Sequence, residues 1–217
     1  MTDQLVSPLF LFRVSVPCWY RRQLWSEDGV SLEPRYRLPS FGELEGKSLF
    51  ADLRMAWSEE GLAFQLTVIG KSHVPWCRAD RLEDSDGLHV WIDTRDTRTI
   101  HRASMFCHRF SFLPFGTGSG LNSPVARIVP ISRAKENPKT LSAGGLRACS
   151  AERAGGYALS AMIPAPALTG YDPEEYPRLG FSYAITDRER GWQTFTLGSE
   201  FPFMSDPSLW GTLELTR

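Results

Sequence analysis

Paired cysteines are missing from this chain: Cys18, Cys77, Cys107 and Cys149 stand far apart, with no CxxC among them. At a length of 217 residues that spacing excludes a disulfide framework. A domain of this size buries on the order of 70% of its extended-chain surface and needs no staple. Long apolar runs are missing too, since no window approaches the roughly 18 consecutive apolar residues of a membrane span. The beginning of the chain carries Asp3 and no early Lys or Arg, and Arg13 interrupts the apolar Leu9-Phe10-Leu11-Phe12. It does not read as a secretion signal, so a cytoplasmic location is the expectation. Neither sign of charge dominates. With 24 Lys and Arg against 25 Asp and Glu, the net charge is -1, and no overall positive field draws the chain to nucleic acid or to a membrane. Lysine is scarce, four against twenty arginines, a bias that carries no functional weight.

Motifs of catalysis and metal binding are also incomplete. Gly116-Thr117-Gly118-Ser119-Gly120 lacks the Lys and Ser/Thr of a phosphate-binding loop. Gly180-Phe181-Ser182-Tyr183-Ala184 spells a nucleophile elbow loosely, but no helix pattern follows it. Asp84, Asp86 and Gly87 open like a calcium loop, yet the twelfth position is Arg95, and a turn capped by Asx hydrogen bonds is the better reading. The histidines His73, His89, His101 and His108 fall within 36 residues, beside Cys77 and Cys107. Their spacing matches no metal signature, and the expected protein needs no cofactor.

What is present is strand pattern. Leu53, Met55 and Trp57 alternate with polar residues, Ser58-Glu59-Glu60-Gly61 turns, and Leu62, Phe64, Leu66 and Val68 alternate back, which predicts a hairpin. Further strands are predicted over residues 9–16, 88–93, 105–113, 125–131, 146–152, 157–163, 179–186, 192–197 and 213–216, with one helical turn over 164–168. Residues 33–47 and 70–86 read as irregular excursions, and 116–120 as a flexible loop. No amphipathic helix of normal length interrupts this series. The expectation is all-β: a single antiparallel β-sandwich of two packed sheets, jelly-roll or immunoglobulin-like, spanning residues 1–217, with 1–44 packed on a 45–217 core.

The stretch from Asp84 to Arg95 organises the rest. Leu88, Val90 and Ile92 share one face of its strand, while His89, Trp91 and Asp93 share the other. An indole beside an imidazole and a carboxylate suits a sugar, whose C–H face is apolar and whose rim needs hydrogen bonds. This trio is expected to face outward as a binding surface, with Arg95, Arg98, Arg102 and Arg109 as a basic rim and Arg102 or Arg109 as a hydrogen-bonding partner. Burial of Trp91 beneath the 70–83 connection, or burial of both faces of this strand, is the structural alternative. Trp76 reads equally as a lid aromatic or a plug, Trp57 and Trp210 as core, and His108 as a hydrogen-bonded core histidine.

In this order the segments resemble a known family. Residues 51–64 are similar to the opening hairpin of carbohydrate-binding module family nine, within the broader DOMON-type sandwiches. Asp86 before Leu88-His89-Val90-Trp91-Ile92-Asp93 is similar to its acidic turn and central strand. Residues 156–164 match its late edge strand, and residues 180–187 and Asp206-Pro207-Ser208-Leu209-Trp210-Gly211 its last signatures. The resemblance implies a non-catalytic sandwich that grips a sugar between two aromatic rings. The family's central glutamate falls at His89, its first clamp at Glu83 (or Trp76 with a longer loop), and its second at Met204, beside Phe203. The implied ligand is a saccharide or similar polar molecule. Haem or metal binding, as in DOMON relatives, is the first alternative, and a small hydrolase using His89 and Asp93 the second.

Overall fold

The structure, a computed structural model, describes residues 13–46, 48–138 and 145–217. Its strands are β1 (Ser15–Tyr20), β2 (Ala51–Ser58), β3 (Gly61–Ile69), β4 (Gly87–Asp93), β5 (Cys107–Thr117), β6 (Ser123–Ile128), β7 (Arg147–Arg153), β8 (Gly156–Pro164), β9 (Arg178–Asp187), β10 (Gly191–Thr194) and β11 (Gly211–Thr216). Among the described residues the helical pieces are short 3-10 turns, the longest being Phe41–Glu45. None is long and apolar enough to cross a membrane. The fold is all-β, as the alternation predicts.

The predicted hairpin forms in the predicted register, pairing Leu53 with Leu66, Met55 with Phe64 and Trp57 with Leu62. Directly opposite residues share a face, so each pair sends two apolar side chains to one side. Gly61 closes the turn at φ +135, a backbone conformation that side-chain-bearing residues rarely adopt. The predicted turn over 164–168 is the 3-10 turn Ala165–Ala167. Two elements differ from expectation. β5 runs on through Gly116 to Thr117, because β6 pairs with it beyond Leu113 across an irregular register. The first strand lies later than predicted: β1 takes in Trp19 and Tyr20, and residues 9–12 of the expected strand lie outside the described residues.

The arrangement also differs from two separate antiparallel sheets. The strands join in one hydrogen-bonded path, β6-β5-β4-β9-β11-β1-β2-β3-β8-β7, with β10 attached to β9. β1 is parallel to both β11 and β2 and so bridges what would otherwise be two layers. The path curls until its end strands β6 and β7 approach each other. The main core fills the space inside: Leu53, Phe64 and Leu159 from one half meet Leu88, Val90, Phe110, Phe181 and Tyr183 from the other. Side chains sealed in this way each contribute about 1.5–3 kcal/mol. Trp57 belongs to this core, as expected. The four cysteines are free thiols.

Candidate functional site

β4 pairs with β5 on one edge and β9 on the other, so its backbone is spent and only its two faces can act. Leu88, Val90 and Ile92 enter the main core, as the two-residue period requires. The opposite face is not open. Trp91 is 1% exposed, His89 2% and Asp93 1%, which overturns the expectation of an outward binding surface. Ala103, Ile131, Phe203 and Trp210, carried by three loops far apart in sequence, form a second apolar cluster over Trp91.

Each member of the trio is also chemically occupied. The Trp91 indole N–H donates to the Met204 carbonyl at 3.1 Å, and the Phe203 ring meets it edge-on with centroids 5.3 Å apart. The Arg109 guanidinium lies 5.0 Å from the same ring and is held 2.8 Å from the Glu83 carboxylate. His89 has Ser111 Oγ 2.8 Å from Nδ1 and Thr186 Oγ1 3.2 Å from Nε2. Thr186 already gives its hydroxyl proton to the Ser85 carbonyl. Nε2 of His89 must therefore donate to Thr186, and Nδ1 accepts from Ser111. Burial, with the nearby Arg109 charge, lowers the His89 pKa to about 4, so the ring is neutral. Asp93 accepts from the backbone N–H groups of Arg95 (2.9 Å) and Thr97 (2.7 Å), which shapes the turn after β4, and burial pushes its carboxyl upward. Four residues apart on a strand, His89 and Asp93 are separated by roughly 13 Å. Sealed and distant, they cannot form the acid–base pair of a hydrolase.

The remaining candidates divide. Arg109, Phe203 and Met204 gather around Trp91 but as packing; Phe203 is 1% exposed. Trp76 is half-buried among cations, with Arg188, Arg78 and Arg81 at 4.4, 5.2 and 5.4 Å from its ring. Arg102 reaches away to the Arg133 and Ala134 carbonyls and ties down that loop. His108 is a core histidine stacked 6.0 Å from Phe110, and burial lowers its pKa to about 4. His73 and His101 are exposed. Among the described residues no group of three His, Cys, Asp or Glu converges to hold a metal ion.

One charged cluster is structural. The Lys71 ammonium is sealed between Asp86 at 3.0 Å and Asp187 at 2.5 Å. Asp187 accepts the backbone N–H groups of Glu189 and Arg190 and so forms the Asx-capped turn expected of it, whereas Asp86, expected to cap its own turn, instead accepts from the distant Trp76 and Arg188 and clamps two loops together.

Another cluster is open. A cavity of about 620 Å³ lies beside the sealed face, between residues 98–101, residues 196–211 and the Arg13-Val14 segment. Its polar wall grows from a local cap. Asp206 precedes Pro207 at the start of the 3-10 turn Pro207–Leu209 and accepts the Ser208 N–H at 3.0 Å. Ser208 Oγ then donates to Asp206 at 2.6 Å, and His101 Nδ1 sits 3.0 Å from Ser208 Oγ and 3.2 Å from Asp206. Serine, histidine and aspartate meet here, but at a single ring nitrogen. With the serine hydroxyl turned to Asp206 and both contacts made by one ring nitrogen, the three are not arranged as a nucleophile–base–acid relay. Trp210 joins the two regions: it is among the residues lining the cavity although only 7% exposed, and its indole N–H donates to the Phe203 carbonyl at 2.7 Å. Arg98 also lines the cavity. The sequence drew attention to 206–211 and to His101 separately; only the fold joins them.

Trp192 was not singled out by the sequence either. It lies directly opposite Thr186, hence on the same side of the sheet as His89, and is 41% exposed.

No family model matches the sequence. No curated protein matches it. Solved structures do. A carbohydrate binding module family 9 from Caldicellulosiruptor kristjanssonii in complex with cellotriose has a TM-score of 0.61 at 13% identity, covering 94% of each chain. A carbohydrate binding module family 9 from the same organism in complex with glucose has a TM-score of 0.57 at 12% identity, covering 93% of this chain and 95% of that one. The fold is therefore like that of carbohydrate-binding module family nine.

Proposed function

We propose that this chain is a non-catalytic saccharide-binding module whose ligand occupies the cavity at His101, Asp206, Ser208 and Trp210, not the Trp91 face. The observation that carries this reading is the cavity itself, on a fold whose solved neighbours hold cellotriose and glucose. A volume of about 620 Å³ suits a small saccharide. Leu209, with the small exposed part of Trp210, offers an apolar wall to the C–H face of a sugar, and the Asp206–Ser208–His101 edge offers acceptors and donors to its hydroxyls. In this reading the halves β7-β8-β3-β2 and β6-β5-β4-β9 act as the two layers of a sandwich, with binding on the loop-covered side of the second.

The test is calorimetric titration with glucose, cellotriose and a panel of other soluble oligosaccharides, on the native chain and on His101→Ala. Binding that weakens about tenfold in the variant supports the site, one lost charge-assisted hydrogen bond being worth that much. Equal binding by both chains removes it. A second reading rests on the exposure of Trp192: a sugar stacked on that indole. Loss of binding in Trp192→Ala, with His101→Ala unaffected, selects it.

A further inference from the structure

The two charged groups at the cavity differ in what they have left to offer. In one, Asp206 is the acid, and it is already supplied by the Ser208 N–H, the Ser208 hydroxyl and His101. Behind Arg13 and Arg98, which line the same cavity, the carboxylate of Asp96 is shared by several cations. Arg98 Nε donates to it at 3.1 Å, Arg178 Nε stands 3.4 Å away, and the Thr212 hydroxyl takes its second oxygen at 2.9 Å. Arg98 Nη2 is also 3.1 Å from Asp96 but is buried and makes no hydrogen bond, which leaves Nη1 as the nitrogen that can turn to a ligand. The Arg13 charge acts on the same carboxyl, whose pKa burial nonetheless raises. Three guanidinium groups thus share one buried acid, and two of them, Arg13 and Arg98, line the cavity. Asp93 adds a second buried carboxyl nearby and Glu214 stands opposite Arg178, so what the cavity itself gains is the two lining guanidinium groups, whose forks match planar or tetrahedral anions.

We propose that the ligand of this cavity is an anionic saccharide, bearing a carboxylate or sulfate ester that docks on Arg13 and Arg98 while its hydroxyls meet His101, Asp206 and Ser208. This rests on the saccharide reading of the same cavity and adds the chemical class. The carboxylate of a uronic sugar is neutralised by guanidinium groups that Asp96 alone cannot satisfy. The ring stays beside Asp206, where the acid is already bound and repels least. A neutral sugar of the same size makes the second set of contacts without the first.

The experiment is an NMR titration of the full chain with glucuronate, glucose and inorganic sulfate at low ionic strength, repeated in 0.5 M sodium chloride and on Arg13→Gln and Arg98→Gln. The expected result is that glucuronate binds about tenfold more tightly than glucose, one charge-assisted contact being worth that much. The advantage, read as the ratio of glucuronate to glucose affinity, should shrink at high salt and in both variants. Arg13 is exposed, so Arg13→Gln keeps the test valid even if Arg98→Gln perturbs folding. Equal binding of glucose and glucuronate overturns the anionic class and leaves the saccharide reading standing. Sulfate binding as tightly as glucuronate overturns the sugar component. Absence of binding by either sugar overturns both proposals.

Discussion

Two clusters of charged side chains stand at different levels of this molecule, and they behave differently. Lys71, Asp86 and Asp187 are sealed, and the carboxylates are ringed by backbone N–H groups. His101, Asp206 and Ser208 have similar chemistry, but the His101 side chain is 77% exposed at a cavity rim. The first cluster is closed by its own loops and ties the 71–86 connection to the β9–β10 turn. The second keeps unspent donor capacity where a ligand can reach it. Charged residues alone therefore do not mark a site; the deciding quantity is what remains unmatched after the fold has taken its share.

The comparison can be broken most forcefully at the sealed cluster. Lys71→Met leaves two buried carboxylates without their cation and should cost about 3–5 kcal/mol in urea unfolding. A cost under ~1 kcal/mol means the cluster is solvated. Trp91→Ala removes a fully buried indole and should also cost about 3–5 kcal/mol. An unchanged midpoint would restore the open face that the alternation alone suggested. Acidification should act next. The His89 and His108 pKa values are both lowered to about 4 by burial, below the ordinary 6.5, so the unfolded chain takes up protons first as pH falls. Their contribution is fully present above about pH 6.5 and is lost toward pH 4. Between pH 7 and pH 5 each histidine should cost about 2 kcal/mol. Asp93 and Asp96, whose carboxyls are raised, act in the opposite sense and only nearer the carboxylate range. Stability curves at pH 7, 6 and 5 for the native chain and His108→Leu should show a shallower slope in the variant. The smallest effect is expected at the rim: His101→Ala should shift unfolding by less than about 0.5 kcal/mol while weakening saccharide binding.

The elements themselves were readable because strand alternation is local. The β2–β3 hairpin and the inward set Leu88, Val90 and Ile92 follow from spacing alone. Sidedness was readable, but exposure was not. A face bearing His89, Trp91 and Asp93 looks like a binding surface until Ala103, Ile131, Phe203 and Trp210 arrive from elsewhere in the chain to cover it. No window around residue 91 carries that information. Closure of the path was hidden for the same reason, since it depends on β1 pairing in parallel with two strands remote in sequence. The cavity joins His101 to Asp206 across 105 positions and appears only once both loops are placed.

The central claim, that recognition belongs to the open cluster and packing to the sealed face, is tested most directly by mapping amide shifts during titration with cellotriose. The account predicts movement at residues 99–101 and 206–210, with residues 89–93 unmoved. Shifts centred on 89–93, with the cavity silent, would contradict it.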